Sequence, residues 1–570
     1  MTEWILADNN IEISREPDGV PVSVLKIVKR RGVKEEDFDD FFSKTPSNTY
    51  DPFLIPDLKE ACLKVLDYCS RGKSICVYGD YDADGITSTT LMTLLLKHFS
   101  SNITYYIPSR FEDGYGPNND AFKRIKESGT DLLVTVDCGI TSKAEIEYAQ
   151  SIGLDCIVTD HHILRDEMTP DCLVVNPHRP DSSYPFENLS GCGVAFKFAQ
   201  GILKICEEKG DGRFTNKDLK SFLDLVAIST VADVVPLLDE NRLLVKYGLD
   251  RINRRDRSGL AVLLKTLDLD KIVDASSISY VIAPNINALG RMGRCDDGVE
   301  LLSSEKSINE LEQIAITITE TNKARKDVQE ATFQICKNVL ESNICGEYAP
   351  VIYAPGAHEG VAGIVAGNLK ESLNKPVCIV SPSDEGELKG TGRSIQGINL
   401  HQIFENCGDV FDRFGGHAGA CGFTVKKGHL KEFRDRLQAL VKAQVDQNPD
   451  ILQKKVYIEK ELDPQEKSIE FAEAVAKLEP YGEANPVPLF CIYNGVVSEV
   501  RHLGAEGQHI KFTIKTNDNI PVSCISFKGS KLYDFVEDGA VVDIAGEIGV
   551  NEYKGRKMLQ IKIADIKESI

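Results

Sequence analysis

Residues 77–85 read VYGDYDADG, and this stretch decides how the first half of the chain is interpreted. It completes an apolar run that begins at Ile75, so Asp80, Asp82 and Asp84 follow the end of a predicted strand. Clustered carboxylates are electrostatically unfavourable unless a cation neutralises them. Ligand sites of open α/β sheets lie at the carboxyl ends of the strands, which is where these acids fall. The stretch therefore predicts a divalent metal site.

Two other interpretations of this stretch are a solvated turn of Asp and Gly residues and a calcium loop of the EF-hand type. The EF-hand interpretation is disfavoured because a strand precedes the acids and no glutamate stands six residues after Gly85. A helix is expected to follow at once, with Thr87 or Ser88 as its N-cap.

Size and composition indicate an ordinary multidomain protein. The chain has 570 residues, of which 42% are hydrophobic and 27% charged, and this length predicts three or four domains. No run of about twenty apolar residues is present, so no membrane span is expected. The first four residues, MTEW, do not begin a signal peptide, so secretion is not expected.

Cysteine usage and net charge narrow the class further. The 16 cysteines include no CxxC pair and no Cys/His cluster with zinc spacing, so buried thiols in a reducing cytoplasm are expected. The formal net charge of −21 argues against a protein that coats duplex DNA through a broad basic surface. This net charge is nevertheless compatible with nucleic-acid binding in a narrow groove lined by a few arginines.

The pattern along the chain predicts an α/β multidomain protein. A helical lead-in is followed by strands that alternate with helices, as in a mostly parallel sheet. A long connector helix is expected over 307–341, a second α/β pattern over 349–445, and alternating strands of a small β-barrel from about 455 onward. The strands predicted in the first sheet are 74–78, 103–107, 132–136, 156–159 and 172–175.

Two further predicted strands of the first sheet also end in acids. Residues 132–136 lead into Asp137, and residues 156–159 lead into Asp160, His161 and His162. Any one of these acids could be a capping Asp at a strand-to-helix turn. Acids at three strand ends of one sheet make a shared site the better interpretation. Asp and His ligands without Cys suit Mn²⁺ or Mg²⁺, and the imidazole favours manganese.

A fourth acid, Asp233, interrupts the apolar run LVAISTVADVVP at 225–236. An unpaired buried carboxylate is costly, so either an arginine or a metal must compensate it. Because three predicted strands already end in acids, a metal is the better interpretation. Asp233 is then interpreted as the acid at a further strand end.

These four motifs, DYDADG at 80–85, DCG at 137–139, DHH at 160–162 and VADVVP at 231–236, resemble those of the DHH phosphoesterases. Six further stretches are similar to the RecJ family of single-strand-specific 5′→3′ exonucleases and extend the resemblance over nearly the whole chain. They are PSRFEDGYG at 108–116, APNINALGRM at 283–292, HEGVAGIV at 358–365, GTGRS at 390–394 with RFGGHAG at 413–419, and PYGEANP at 480–486.

The resemblance implies a domain order. It comprises a helical lead-in at 1–70, a catalytic DHH domain with a parallel sheet at 71–240, a helical region with the connector helix at 241–345, a smaller α/β DHHA1 domain at 346–450, and an oligonucleotide-binding (OB) barrel at 451–570.

The resemblance also implies a centre with two Mn²⁺ or Mg²⁺ ions bridged by Asp137. One site would comprise Asp84, Asp137, His161 and Asp233, and the other Asp82 with help from Asp80. His162 would donate a hydrogen bond to the scissile phosphate. Many relatives carry a metal-ligating histidine where this chain has Tyr78, a poor neutral ligand near its usual pKa of about 10.

Candidate substrate contacts complete the prediction. Arg393 and Ser394, in a glycine-flanked loop, suit the terminal phosphate of a 5′ end. Arg110 and Arg291 suit backbone phosphates, Tyr115 suits stacking on a base, and His358 and His417 are further candidates from the family motifs. A surface ion pair is the alternative for any lone arginine, and a plain turn for the glycines.

The leading hypothesis is thus a metal-dependent exonuclease that degrades single-stranded DNA from the 5′ end to mononucleotides in recombination and repair. A DHH phosphoesterase acting on short RNA or cyclic dinucleotides is a second hypothesis, and a catalytically inactive scaffold is a third. The family resemblance implies a cytoplasmic monomer, with single-strand-binding protein and a RecQ-type helicase as partners.

Overall fold

A computed structural model describes residues 2–43, 49–109, 116–164, 169–342, 345–383, 386–529, 533–553 and 555–569. The chain forms two compact units. The first comprises Met1–Glu3, Pro284–Asp297 and Gln313–Lys455, and the second comprises Trp4–Ala283, Gly298–Glu312 and Val456–Ile570. In the described parts of the chain, no helix is both long enough and apolar enough to cross a membrane.

The beginning of the chain, predicted as a helical lead-in, begins with a strand and contains three α-helices among its described residues. The elements are β1 (Glu3–Leu6), α1 (Val22–Arg30), α2 (Phe38–Phe42) and α3 (Leu58–Ser70). The apolar side of α1, including Val24 and Leu25, belongs to one hydrophobic core with the C-terminal strands. This part of the chain therefore folds against the C-terminal region.

The predicted parallel sheet is confirmed, and it positions the acidic motifs. Its strands are β2 (Ile75–Tyr78), β3 (Ile103–Tyr106), β4 (Leu132–Val136), β5 (Asp155–Thr159) and β6 (Leu173–Val175), in the order β3-β2-β4-β5-β6. All four pairings are parallel. Val136 pairs with Thr159, so Asp137 and Asp160 leave the sheet side by side at its carboxyl edge.

Helices cover the sheet and continue beyond it. Those that accompany the sheet are α4 (Ala83–Lys97), α5 (Asn119–Glu127), α6 (Lys143–Ser151) and α7 (Gly191–Lys209). The helices that follow are α8 (Asn216–Lys220), α9 (Leu223–Ala232), α10 (Asp239–Arg254), α11 (Ser258–Thr266), α12 (Ala275–Ser277), a π-helical turn (Ile278–Ile282), α13 (Ala283–Met292) and α14 (Asp296–Ser303).

The predicted long helix is present as α15 (Ile308–Glu341), and a second sheet follows it. That sheet contains β7 (Val351–Tyr353), β8 (Val377–Pro382), β9 (Leu388–Arg393), β10 (Phe411–His417) and β11 (Ala420–Val425), in the order β10-β11-β9-β8-β7. Its helices are α16 (Glu359–Leu373), α17 (Leu400–Glu405) and α18 (Leu430–Gln447). The β7–β8 pair is parallel and the other pairs are antiparallel.

The C-terminal region carries the predicted alternating strands. They are β12 (Lys455–Ile458), β13 (Lys460–Glu461), β14 (Leu489–Leu503), β15 (His509–Lys515), β16 (Val522–Ser526), β17 (Val541–Tyr553) and β18 (Arg556–Glu568), with α19 (Ile469–Ala476) before β14. Five of them pair in a cycle, β14-β15-β16-β18-β17, because β17 also pairs with β14.

Candidate metal centre

The structure brings all seven predicted catalytic and metal-ligating residues to one edge of the parallel sheet. Metal-ligand atoms lie within 4.8 Å of one another in three overlapping groups of carboxylates and histidines. The groups are Asp84, His161 and Asp233; Asp80, Asp82 and Asp137; and Asp137, Asp160, His161 and His162. Asp137 belongs to two of these groups, so it lies between the others.

Asp84 is held rigidly at the N-terminus of α7. Its two carboxylate oxygens accept hydrogen bonds from the backbone N–H groups of Gly191 (2.7 Å) and Cys192 (2.8 Å). The hydroxyl of Ser229 donates a third bond, at 2.7 Å. Backbone donors at a helix N-terminus suit an anionic group, so these three contacts fix the position of the Asp84 carboxylate.

His161 points an unsatisfied nitrogen at three carboxylates. Its Nδ1 lies 3.0 Å from the carbonyl oxygen of Leu189, which makes Nδ1 the donor and leaves a lone pair on Nε2. Nε2 is buried and has no hydrogen-bond partner among the residues that the structure describes. It lies 3.2 Å from Asp137 Oδ1, 3.6 Å from Asp233 Oδ2 and 3.9 Å from Asp84 Oδ2. Burial lowers the pKa of His161, so the ring itself does not supply the missing positive charge.

The backbone permits the close approach of Asp137 to this cluster. Asp137 adopts a left-handed conformation with φ of 61° and is 2% exposed. A Cβ atom at Gly191 would lie 2.6 Å from the Asp137 side chain, so only glycine fits there. The same glycine donates to Asp84, so residue 191 sets the spacing of two acids.

The electrostatics of the cluster require a cation. Burial, followed by the neighbouring carboxylates, raises the pKa of Asp80 and Asp233 to about 8 and raises the pKa of Asp82 and Asp137 as well. Carboxyl groups with raised pKa values gain most when a divalent ion replaces the shared protons. Together with the orphaned Nε2 of His161, this donor set of carboxylates and one imidazole fits Mn²⁺ or Mg²⁺.

Asp160 orients His162 instead of joining the carboxylates that face His161. Asp160 Oδ1 accepts from the ring Nδ1 of His162 (2.7 Å) and from the N–H groups of His161 and His162. Burial opposes ionisation of Asp160, but its contacts with His162 prevail and lower its pKa to about 2. Burial likewise opposes protonation of His162, and Asp160 raises the pKa of that ring to about 9. His162 is therefore a charged donor at neutral pH, and its Nε2 is free to bind another group.

Two local predictions at the site are wrong. The N-cap of α4 is Asp82, whose carboxylate accepts from the N–H of Gly85, because the helix begins four residues earlier than Thr87. Asp233 is the C-cap of helix α9 and does not end a strand. The apolar residues before it are buried on every side of the helix, and uniform burial removes the periodicity that distinguishes helix from strand.

Tyr78 turns away from the carboxylates. Its ring is fully buried, stacks on Tyr106 at 5.5 Å and belongs to the core beneath α5. The hydroxyl donates to the carbonyl of Gly116 at 3.0 Å. The position of the family's usual histidine is thus a core position in this chain.

Residues 188–192, which lead into α7, contact three of the site residues but were not predicted from the sequence. Leu189 orients His161, and Gly191 and Cys192 hold Asp84. Ser190 caps α7, and its Oγ lies 2.6 Å from the Oγ of Ser229. Most of these contacts use backbone atoms, which have no side-chain signature. The available signal was the sequence SGCG at 190–193, a Ser N-cap followed by glycines.

The two residues predicted to bind the DNA end, Arg393 and Ser394, differ in their hydrogen bonding. Arg393 ends β9 and donates to Thr391 Oγ1 (3.0 Å) and to the carbonyl of Gly392 (2.9 Å). It has no acidic partner among the described residues, and burial lowers its pKa. Ser394 is buried, and its hydroxyl donates to the carbonyl of Ile398 at 2.7 Å. Arg393 thus retains capacity for an anion, whereas the Ser394 hydroxyl closes a turn.

The other predicted substrate residues have varied surroundings. Arg291 donates to the carbonyl of Gly360 at 2.9 Å, and His358 caps α16 by accepting from the Gly360 N–H. His417 is exposed and lies in the same cross-strand row as Arg393, since Ala420 pairs with both. Arg110 and Tyr115 lie outside the described residues.

Comparison with known proteins supplies the family. Residues 74–230 match the DHH family N-terminal domain, 346–443 match the DHHA1 domain, and 458–565 match the RecJ OB domain. The single-stranded-DNA-specific exonuclease RecJ of Bacillus subtilis is 36% identical over 548 residues, which are 96% of this chain and 68% of that relative.

Two solved structures extend the match. The crystal structure of RecJ from Thermus thermophilus in complex with Mn²⁺ has a TM-score of 0.81 and 28% identity, covering 100% of this chain and 80% of that one. The structure of the same protein with Mg²⁺ has a TM-score of 0.71 and 26% identity, covering 100% and 79%. The predicted α/β multidomain fold with DHH, DHHA1 and OB domains is confirmed, and the chain belongs to the RecJ family.

Proposed function

We propose that this chain is a metal-dependent exonuclease that degrades single-stranded DNA from the 5′ end to mononucleotides, in DNA recombination and repair. The observation that carries the proposal is the buried, unpartnered Nε2 of His161, which faces Asp84, Asp137 and Asp233 within 3.9 Å. Such a cluster is unstable without a cation and is built to hold one. The relative from Bacillus subtilis is named as a single-strand-specific exonuclease, and the Thermus structures are of RecJ with Mn²⁺ and with Mg²⁺.

The chain offers ligands for two ions that share Asp137. Asp84, Asp137, His161 and Asp233 would hold one, and Asp80, Asp82 and Asp137 the other. When bound, Mn²⁺ or Mg²⁺ would lower the pKa of a water for in-line attack on a phosphodiester and offset the charge of the transition state. The residues' own task is to keep six ligand side chains at fixed spacing, which the backbone donors of residues 191 and 192 achieve for Asp84.

His162 would act on the substrate. Its Nδ1 is engaged by Asp160, which fixes the ring plane and keeps the ring protonated. The remaining N–H, at Nε2, has no partner in the described part of the chain and can donate to a non-bridging phosphate oxygen. A charged donor aimed at developing negative charge stabilises the transition state more than the ground state.

The DHHA1 region would recognise the end of the strand. Arg393 offers a guanidinium without an acidic partner in its described surroundings, which suits a terminal phosphate. His417, in the same cross-strand row, would add a second contact. Arg110, Arg291 and His358 are proposed as phosphate contacts and Tyr115 as a base-stacking residue.

The C-terminal OB domain would bind the single strand beyond the reacting phosphate. We further propose that the protein acts as a cytoplasmic monomer with single-strand-binding protein and a RecQ-type helicase as partners. Co-purification of each candidate partner with the intact chain, in buffer that contains no DNA, would test these associations.

The test is digestion of matched oligonucleotides labelled at the 5′ or the 3′ end, as single strands and as blunt duplexes, with Mn²⁺, Mg²⁺ or chelator. The proposal predicts early release of labelled mononucleotide from the 5′-labelled single strand alone, and only when metal is present. Preferential cleavage of dinucleotides over long strands would support the short-substrate phosphoesterase. Metal binding without hydrolysis of any substrate would support the inactive scaffold.

A further inference from the structure

Asn241, on helix α10, is a fully buried amide that no part of the proposed chemistry uses. Its Nδ2 donates two short hydrogen bonds, to the carbonyl of Asn188 at 2.6 Å and to the carbonyl of Pro236 at 3.0 Å. A buried donor shared between two carbonyls of distant chain segments ties those segments together, because either carbonyl left unpaired would cost free energy.

One carbonyl belongs to the segment that contacts His161, and the other belongs to the segment that follows Asp233. Asn188 directly precedes Leu189, whose carbonyl accepts from His161 Nδ1 at 3.0 Å. Pro236 lies three residues after Asp233, the C-cap of α9. His161 Nε2 and Asp233 Oδ2 are themselves 3.6 Å apart. One side-chain amide thus braces the backbone behind both of these ligands.

The next residue, Arg242, fixes the same helix to the C-terminal region. Arg242 is 4% exposed, and its guanidinium donates to the carbonyls of Lys477 (3.0 Å) and Leu478 (2.7 Å). The N–H of Leu237 donates to the carbonyl of Glu483 at 2.8 Å, next to Pro236. The stretch that follows Asp233 is therefore held from one side by Asn241 and from the other by the start of the C-terminal domain.

The buried amide of Asn485 makes this contact surface rigid. Its Nδ2 donates to the carbonyls of Leu478 and Pro480, at 2.8 and 2.7 Å, which closes residues 478–485 into a compact loop. The loop 480–486 is one of the stretches that resembles the RecJ family. The carbonyls of Leu478 and Glu483, within residues 478–485, therefore form a fixed surface for Arg242 and Leu237.

We propose that Asn241 is a positioning residue that sets the spacing of His161 and Asp233, and that Arg242 anchors it to the C-terminal domain. The inference rests on the proposed metal centre and assigns a role to two residues outside it. Partners that orient metal ligands through hydrogen bonds change metal affinity without touching the ion. The C-terminal domain would thereby contribute to the geometry of the metal centre as well as to DNA binding.

Asn253 provides a matched control on the same helix. Its Nδ2 also donates to two carbonyls, those of Leu249 and Val273, and within the described part of the chain neither residue hydrogen-bonds to a predicted metal ligand. The variants Asn241→Leu, which keeps the side-chain volume, Asn241→Ala and Asn253→Ala are compared. Mn²⁺ affinity is measured by calorimetry on folded, chelator-treated full-length protein, and kcat and KM are measured on a single-stranded oligonucleotide.

Substitution of either asparagine is expected to lower the melting temperature of the protein. Only the Asn241 variants should weaken Mn²⁺ binding, by about 10-fold. Their kcat should fall at saturating DNA, with KM for DNA little changed. Unchanged Mn²⁺ affinity in either folded Asn241 variant, or an equal loss in Asn253→Ala, would overturn the inference. Wild-type protein that binds Mn²⁺ without cleaving DNA would refute the proposed function while leaving this comparison of affinities intact.

The anchoring step is tested with Arg242→Ala and Arg254→Ala. Arg254 lies on α10 but is exposed and pairs with Asp250, so its loss should leave Mn²⁺ affinity unchanged. Arg242→Ala should weaken Mn²⁺ binding in the same direction as Asn241→Leu. Equal Mn²⁺ affinity in the two arginine variants would show that the C-terminal domain does not contribute to the geometry of the metal centre.

Discussion

The carboxyl edge of the parallel sheet and the β9–β11 region of the DHHA1 domain were both predicted to be functional, and they differ in how their residues are held. At the sheet edge, Asp84, Asp137, His161 and Asp233 converge, and His161 Nε2 has no partner there. In the DHHA1 region, the Ser394 hydroxyl is already used by Ile398. Clustered acids raise one another's pKa and therefore indicate a ligand, whereas a lone hydroxyl does not.

The largest effect is expected from Asp137, which belongs to two of the three groups of ligand atoms. Asp137→Ala should remove several kcal/mol of transition-state stabilisation, equivalent to a loss of at least about 10³-fold in kcat. Binding of single-stranded DNA, measured by fluorescence anisotropy in chelator, should survive. Full turnover by Asp137→Ala at saturating Mn²⁺ would contradict the bridging role.

The strands of the first sheet and the acids that follow them could be predicted because their signals are local in sequence. Apolar runs followed by acids gave the strands β2, β4 and β5 and the positions of Asp80, Asp137 and Asp160. The element type of the run before Asp233 could not be predicted, because helix α9 is buried on all sides. The loop 188–192 was missed because its hydrogen bonds to Asp84 come from backbone N–H groups.

Gly191→Ala probes that missed loop. The added Cβ would lie 2.6 Å from the Asp137 side chain, so Asp137 or the donors to Asp84 must move. A displacement of about 1 Å at a catalytic group can lower activity by roughly 10²-fold. Oligonucleotide digestion measures the loss, and Gly212→Ala, where an added Cβ meets nothing within 4 Å, is the control. Equal activity in the two variants would show that the close approach is unimportant.

Arg393→Ala tests the other region of the comparison, the β9–β11 region of the DHHA1 domain. Loss of a charge-assisted contact to a terminal phosphate costs roughly 1.5–3 kcal/mol, so KM for 5′-phosphorylated DNA should rise by roughly 10- to 100-fold. KM for the same strand with a 5′-hydroxyl should change little. Arg436→Ala, which removes a partly exposed arginine paired with Asp409, serves as the control. An equal rise in KM for both ends would exclude Arg393 from end recognition.

The carboxylates at the sheet edge should make the stability of the metal-free protein depend on pH. In metal-free protein, Asp80 and Asp233 have pKa values of about 8, above the unfolded value of about 4. The folded state then binds more protons than the unfolded state between these values, so stability should fall as pH rises from about 4 to about 8. Mn²⁺ should release protons at pH 7, measured by calorimetry in buffers of different ionisation enthalpy. Binding without proton release would contradict the raised pKa values.

The smallest effect is expected from Ser394→Ala. Removing the bond to Ile398 should lower the free energy of unfolding by about 1 kcal/mol, measured by urea denaturation, with KM for 5′-phosphorylated DNA unchanged. A rise in KM comparable with that of Arg393→Ala would show that the hydroxyl contacts the DNA end after all.

The central claim is that Asp84, Asp137, His161 and Asp233 bind a divalent cation at the carboxyl edge of the parallel sheet. Anomalous diffraction at the manganese edge, from crystals of the full chain soaked in Mn²⁺, tests it most directly. We predict a peak within coordination distance of His161 Nε2 and the three carboxylates. A Mn²⁺-bound crystal whose peaks all lie away from His161 Nε2 would contradict the account.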